Sequence, residues 1–203
     1  MREFVVVGGG EHALVVADAI ETGELGLVVG YSAPEESLLS RSYQWLGRDE
    51  DLPPDQLCVL GIGARGADPV RAAAVAAVPP GTMWAAIVHP SAIVAPTARI
   101  DPGAVVLAGA IIQPQAHLME FSLVGAGSTI EHDVTLGSYA VVAPGVTIGG
   151  GTTIGRNAFI GLGAGVRDHL RIGEGAVVSM GSIVTNDISP NTTVRGLPAR
   201  PIG

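Results

Sequence analysis

Aromatic side chains are nearly absent: three Phe, three Tyr and two Trp make up 4% of the chain's 203 residues. A core without large rings has to be narrow and regular, packed from Val, Ile and Ala. Cysteine is scarcer still. The one thiol, Cys58, has no partner for an internal disulfide and lies in the apolar run "LCVLGIG", the setting of a buried strand in a reducing cytoplasm. Basic residues are also few, with 11 Lys and Arg against 19 Asp and Glu, a formal charge of −8 and a pI near 5.0. Nucleic acid and anionic membrane surfaces call for clustered cations, so neither is an expected partner. Long hydrophobic runs are missing as well. The start, "MREFVVVGGG", is too short for the apolar part of a secretion signal, and Gly or polar residues break every later run before it could span a membrane. A cytoplasmic protein is expected.

Glycine is abundant instead, with 29 residues, and so is regularity. Steps of six from Ile100 to Val184 meet Ile, Leu or Val at all fifteen positions, and the positions four further on, Ala104 to Ile188, are all small or aliphatic. A period of six fits neither a helix nor a simple hairpin. It fits one short strand and one corner of a triangular coil, three units making an 18-residue turn. The fifteen hexads predict about five coils, each rising about 4.8 Å by parallel strand pairing. Glycine often follows the aliphatic residue directly, as in "VGAGST", "IGGGTT" and "IGEGAV", where unusual backbone angles at a tight corner are expected. An irregular lead-in, "IVHPSAIVAPTAR", precedes the clean register, and "VRGLPARPIG" leaves it. The coils are assigned to residues 84–190, with a C-terminal extension at 191–203.

Residues 1–83 read as a small α/β unit. "EFVVVGGGEHALVVADAIE" is strand, glycine turn and helix, with Ala13, Val16, Ala17 and Ile20 at helical spacing. Gly8, Gly10 and Ala13 satisfy G-x-G-x-x-A, a turn that brings backbone N–H groups and a helix N-terminus to a phosphate. Further strands are expected in "LGLVVGY" and "QLCVLGIG", and a helix in "DPVRAAAVAAV". Two such halves make a dinucleotide fold, so one half suits a single nucleotide; a purely structural turn is the alternative.

The hexad register resembles the left-handed parallel β-helix of the hexapeptide-repeat acyltransferases. With "GGGEH", "HPSA", "EHD", "APG" and "GLPA", the whole chain resembles the NeuD-like nucleotide-sugar N-acetyltransferases of the bacillosamine and perosamine type, in which a Rossmann-like half-domain precedes the helix. The resemblance implies a homotrimer with active sites in clefts between prisms. It also implies acetyl transfer from acetyl-CoA to the amino group, at C4, of a nucleotide-linked amino-deoxysugar. In that scheme His132 is the general base, an imidazole being suited to take an ammonium proton near neutrality, and Asp133 orients it. The backbone N–H of Gly150 meets the thioester oxygen, Gly161, Leu162 and Met180 line the pantetheine arm, and Arg200 meets a coenzyme phosphate. Gly8, Gly10, Glu11 and His12 face the nucleotide sugar, whereas Glu131 is solvated and His89 braces the junction.

This chain departs from the family at several places. An Asp pair after the second strand is replaced by Ser32, Ala33 and Pro34 ahead of Glu35 and Glu36. Gly125 and Val141 stand where relatives carry Asn and His, and Glu11 replaces the glycine before the turn histidine. No metal is expected, because His117, His132 and His169 fall at different hexad offsets and do not converge as a zinc site requires. O-acetyl transfer to a sugar hydroxyl and a non-catalytic trimeric scaffold or sensor remain as alternatives.

Overall fold

The computed structural model describes residues 1–202. The first part is a parallel four-stranded sheet of β1 (Glu3–Val7), β2 (Leu27–Ser32), β3 (Leu57–Leu60) and β4 (Met83–Trp84), in the order β2-β1-β3-β4. Helix α1 (Glu11–Glu21) packs Ala13, Val16, Ala17 and Ile20 with Phe4 and Val6, while Val5 and Val7 share a second cluster with Cys58, Leu60 and Ala74 of α2 (Val70–Ala77). Both faces of β1 are therefore covered, which is why it reads as an unbroken apolar run. Neither helix among the described residues is long and apolar enough to cross a membrane.

The chain continues as a β-solenoid, a left-handed prism of two-residue rungs. Its first face carries Ile87–Val88, Val105–Val106, Leu123–Val124, Val141–Val142, Phe159–Ile160 and Val177–Val178. The second carries Ile93–Val94, Ile111–Ile112, Thr129–Ile130, Thr147–Ile148, Gly165–Val166 and Ile183–Val184. The third carries Arg99–Ile100, His117–Leu118, Thr135–Leu136, Thr153–Ile154 and Arg171–Ile172. Each rung pairs in parallel with the one a full coil on, as in Ile130↔Ile148 and Leu136↔Ile154. The second residue of the rungs from Val106 to Val184 points into one continuous core with the small residues of the corners. Each fully buried Ile or Leu there contributes about 1.5–3 kcal/mol.

Two expectations change. The lead-in is regular: Val88 and Val94 pair with Val106 and Ile112, so the register begins two hexads before Ile100. The glycines that follow the aliphatic residues are also not the strained positions. Positive φ falls two residues later, at every sixth residue from Gly103 to Gly181, including Asp133 (φ 58) and His169 (φ 55). Gly125, Gly137, Gly149, Gly155, Gly161 and Gly173 are needed because the next coil's backbone passes so close that a Cβ would lie 2.3–2.7 Å from it.

A terminal hairpin, Thr193–Gly196 with Ala199–Pro201, adds to the first face beside Val177–Val178 and packs Ala199 on the core, covering an edge that would otherwise stay open. The N-terminal unit covers the first face, where Ile87, Val105, Leu107, Leu123 and Val141 join the cluster of Phe4, Val16 and Ile20.

Candidate active site

Corner residues two and three places after each inward aliphatic repeat every 18 residues along one edge of the prism. The edge between the second and third faces therefore stacks His132, Gly150 and Asp168, with Asp133, Gly151 and His169 beside them. Backbone bonds lock this stack: Gly151 N–H donates to the His132 carbonyl (2.9 Å) and His169 N–H to the Gly150 carbonyl (2.8 Å). At this edge His132 Nδ1 lies 2.8 Å from Asp133 Oδ2, and the two side chains are 58% and 63% exposed. A carboxylate only accepts, so the proton of this bond sits on Nδ1, and in the neutral ring Nε2 is the nitrogen that carries the lone pair. A pair this exposed adds little stability; its consequence is orientation.

The ring of His132 covers Gly150. A Cβ there would fall 2.6 Å from Nε2, and one on Gly151 would fall 2.5 Å from Nδ1 of His169. Two glycines thus lie between imidazoles from the coil before and the coil after, a relation that comparing hexad offsets had missed. Gly150 N–H has no acceptor among the described residues. His117 is elsewhere, on the third face, 2.7 Å from Asp101. His89 Nδ1 accepts from Ser91 N–H at the junction (3.1 Å).

The second candidate region is a cleft of about 590 Å³ between the N-terminal unit and the first face. Gly10, Glu11 and His12 open it from the start of α1, and Gly125, Val141 and Phe159 belong to its floor. Gly125 and Val141, two of the departures noted in the sequence, therefore sit together in this one cleft. Gly8 lies behind the wall: its φ is +120, and a Cβ would meet Ile62 at 2.6 Å. Burial, reinforced by the Arg71 charge, lowers the His12 pKa to about 4, so the ring is neutral, and its Nε2 has no partner among the described residues.

The remaining candidates lie on other edges. Leu162 and Met180 project from the edge between the first and second faces, 51% and 71% exposed, and Gly161 makes room for the Met180 backbone. Arg200 lines a separate cleft at the end of the prism together with Asp187. Sequence reasoning missed Arg71, treated there only as part of a helix. A signal existed: Arg71 shares the spacing of Ala74, Val75 and Val78, the packed side of α2, and is itself 1% exposed. It also missed Asp49, which arrives from a distant segment to accept a hydrogen bond from Ser32 at the end of β2 (2.7 Å).

The repeats and the solved structures that this chain resembles support an acyltransferase. The family described as bacterial transferase hexapeptide (six repeats) matches residues 115–150, and the hexapeptide repeat of succinyl-transferase matches residues 151–186. No curated protein matches the chain. Among solved structures, the acetyltransferase domain of PglB from Neisseria gonorrhoeae, in complex with acetyl coenzyme A, is 28% identical over 99% of both chains, with a TM-score of 0.90. PerB from Caulobacter crescentus, in complex with CoA and GDP-perosamine, is 24% identical over 100% of this chain and 98% of its own, with a TM-score of 0.75, a likeness of fold. Likeness along the whole length, together with the repeats, fits the NeuD-like sugar acetyltransferases that the motifs resemble.

Proposed function

We propose that this protein is an acetyl-CoA-dependent N-acetyltransferase acting on the amino group, at C4, of a nucleotide-linked amino-deoxysugar, with His132 as general base. The observation that carries this reading is the His132–Asp133 pair, which leaves Nε2 free above Gly150 at an exposed corner. In the reaction Nε2 takes the proton lost by the attacking amine, while Asp133 holds the ring and stabilises its charged form. Gly150 N–H faces the thioester oxygen and stabilises the negative charge that builds there during attack. The C–N bond forms, the C–S bond breaks, and the departing thiolate collects a proton.

Residues 1–83, with Trp84 completing the last strand of the sheet, form the Rossmann-like half-domain, whose cleft at Gly10, Glu11 and His12 receives the nucleotide sugar. Residues 84–190 carry the acyltransfer site, and 191–203 contribute Arg200 to a coenzyme phosphate. The apolar edge of Leu162 and Met180 suits the pantetheine arm. His132 and this edge lie at different corners of one prism, so a site that uses both is completed by a second copy, in keeping with a homotrimer. The likeness to a domain crystallised with acetyl coenzyme A supports the donor.

The assay is thiol release from acetyl-CoA with UDP-, GDP- and dTDP-linked 4-amino sugars, comparing wild type with His132→Ala. A loss of about 10²-fold or more is expected for removal of a general base; equal rates overturn the assignment. Alkaline treatment of the product separates an amide, which survives, from the ester that O-acetyl transfer would leave.

A further inference from the structure

Arg71 is a buried cation without an anion. No carboxylate lies within ion-pair distance of it among the described residues. Its guanidinium donates to two backbone carbonyls instead, through Nη1 to Ile62 and through Nη2 to Phe121 at 2.7 Å, and Nε has no partner. Desolvation lowers its pKa to about 10, which leaves it charged at neutrality. An unpaired buried charge is costly, and packing alone would be served by an apolar side chain of similar size.

The two carbonyls belong to different parts of the molecule. Phe121 sits at a corner of the solenoid, T-shaped to Trp84 and stacked on Tyr139, with ring centroids 5.0 Å apart in each pair. Ile62 belongs to the cleft wall, where Gly8 packs against Gly61 and Ile62, and Gly63 packs against the ring of His12. Tying Ile62 to Phe121 therefore sets where this wall stands relative to the solenoid floor at Val141 and Phe159. The His12 ring rests on that wall.

We propose that Arg71 is a positioning residue for the acceptor substrate. By joining the Ile62 wall to the solenoid at Phe121 it fixes the width of the cleft and holds the buried His12 ring in the wall that a nucleotide-linked sugar would meet. The proposal rests on the acceptor reading above for the identity of the ligand, but not for the role of the tie. The charge has a second effect, since it opposes protonation of the His12 ring, in a cleft that the charged residues Glu11, Arg65 and Asp68 also line.

The test uses the full chain with Arg71→Met and Arg71→Lys. Imidazole NMR follows the titration of His12, identified by its loss in His12→Asn, and calorimetry follows binding of UDP, GDP and dTDP. In Arg71→Met the His12 midpoint should rise part of the way from about 4 toward 6.5, burial keeping the larger share of the lowering. Affinity for the bound nucleotide should fall about tenfold, since small displacements of a binding wall are expensive. Arg71→Lys keeps the charge and loses the fork, so the midpoint should stay low while affinity still falls. An unmoved midpoint in Arg71→Met, undiminished affinity in folded Arg71→Lys, or no nucleotide binding by wild type overturns the proposal. Absence of thiol release with every amino sugar would instead sink the acyltransfer reading, and leave both of these readouts to judge Arg71.

Discussion

The imidazole of His132 lies against the α-carbon of Gly150, one coil further along the same edge, so closely that a methyl group there would fall 2.6 Å from Nε2. The atom in the way is the far end of a side chain, which can swing aside without moving backbone. Gly150→Ala should therefore melt within a few degrees of wild type yet lose about 10²-fold in kcat, because the ring leaves its working position. Parallel melting and turnover measurements check this, and full activity in a folded Gly150→Ala would separate the ring's position from the chemistry.

Asp133→Asn keeps a group that can accept from Nδ1 but removes the negative charge that stabilises the protonated ring. Since the pair is exposed, stability should hardly change. Turnover should fall by about 10- to 100-fold, less than in His132→Ala, whose loss reflects the base itself. Steady-state rates at saturating acetyl-CoA measure the difference.

His12 makes folding stability depend on pH. Its pKa is lowered from 6.5 to about 4, so between those values the unfolded chain binds a proton that the folded chain refuses. The contribution is fully present above 6.5 and is lost as pH falls toward about 4, amounting to about 3 kcal/mol at most. Urea titrations at several pH values between 7 and 4.5 should show wild type losing stability more steeply than His12→Asn. Equal slopes would mean that the ring is not held neutral.

The two kinds of glycine in the coils should respond differently to alanine. At Gly145 (φ 71) a Cβ meets nothing within 4 Å, so only the left-handed backbone is penalised, by about 1–2 kcal/mol. At Gly155 the added carbon would sit 2.5 Å from the backbone nitrogen of Glu174, and two coils must separate to admit it. Gly155→Ala should cost more than about 3 kcal/mol, beyond the range of most substitutions. Chemical denaturation of both variants tests the order.

Subunit mixing tests whether the site is shared. His132→Ala damages one edge of the prism and Met180→Arg another. If each site takes one edge from each of two copies, refolding the two inactive variants together should restore activity that neither has alone. A mixture as inactive as its components would point to a site contained in one chain.

Much of the fold was legible in the residues themselves. A period of six with Ile, Leu or Val at one position specifies a rung and a corner by local geometry, and the buried column from Val106 to Val184 follows from that pattern alone. The strands and helices of the N-terminal unit were likewise readable, because α1 presents Ala13, Val16, Ala17 and Ile20 on one side. The glycine pattern was visible, but its cause was not. Whether a glycine serves a backbone angle or a close neighbour depends on the coil 18 residues away, which no local window contains.

By itself, then, the sequence determined the prism, the position of His132 and Asp133 on a corner, and the glycine turn before α1, since each of these depends on neighbours a few residues apart. Only the tertiary structure decided that Gly150 lies beneath His132, that Gly125 and Val141 share a cleft with His12, and that a buried Arg71 ties that cleft's wall to the solenoid. These relations arise where coils stack and where one folded unit settles on the face of another. Their distances are set by packing between segments 18 to 129 residues apart, and periodicity does not encode them.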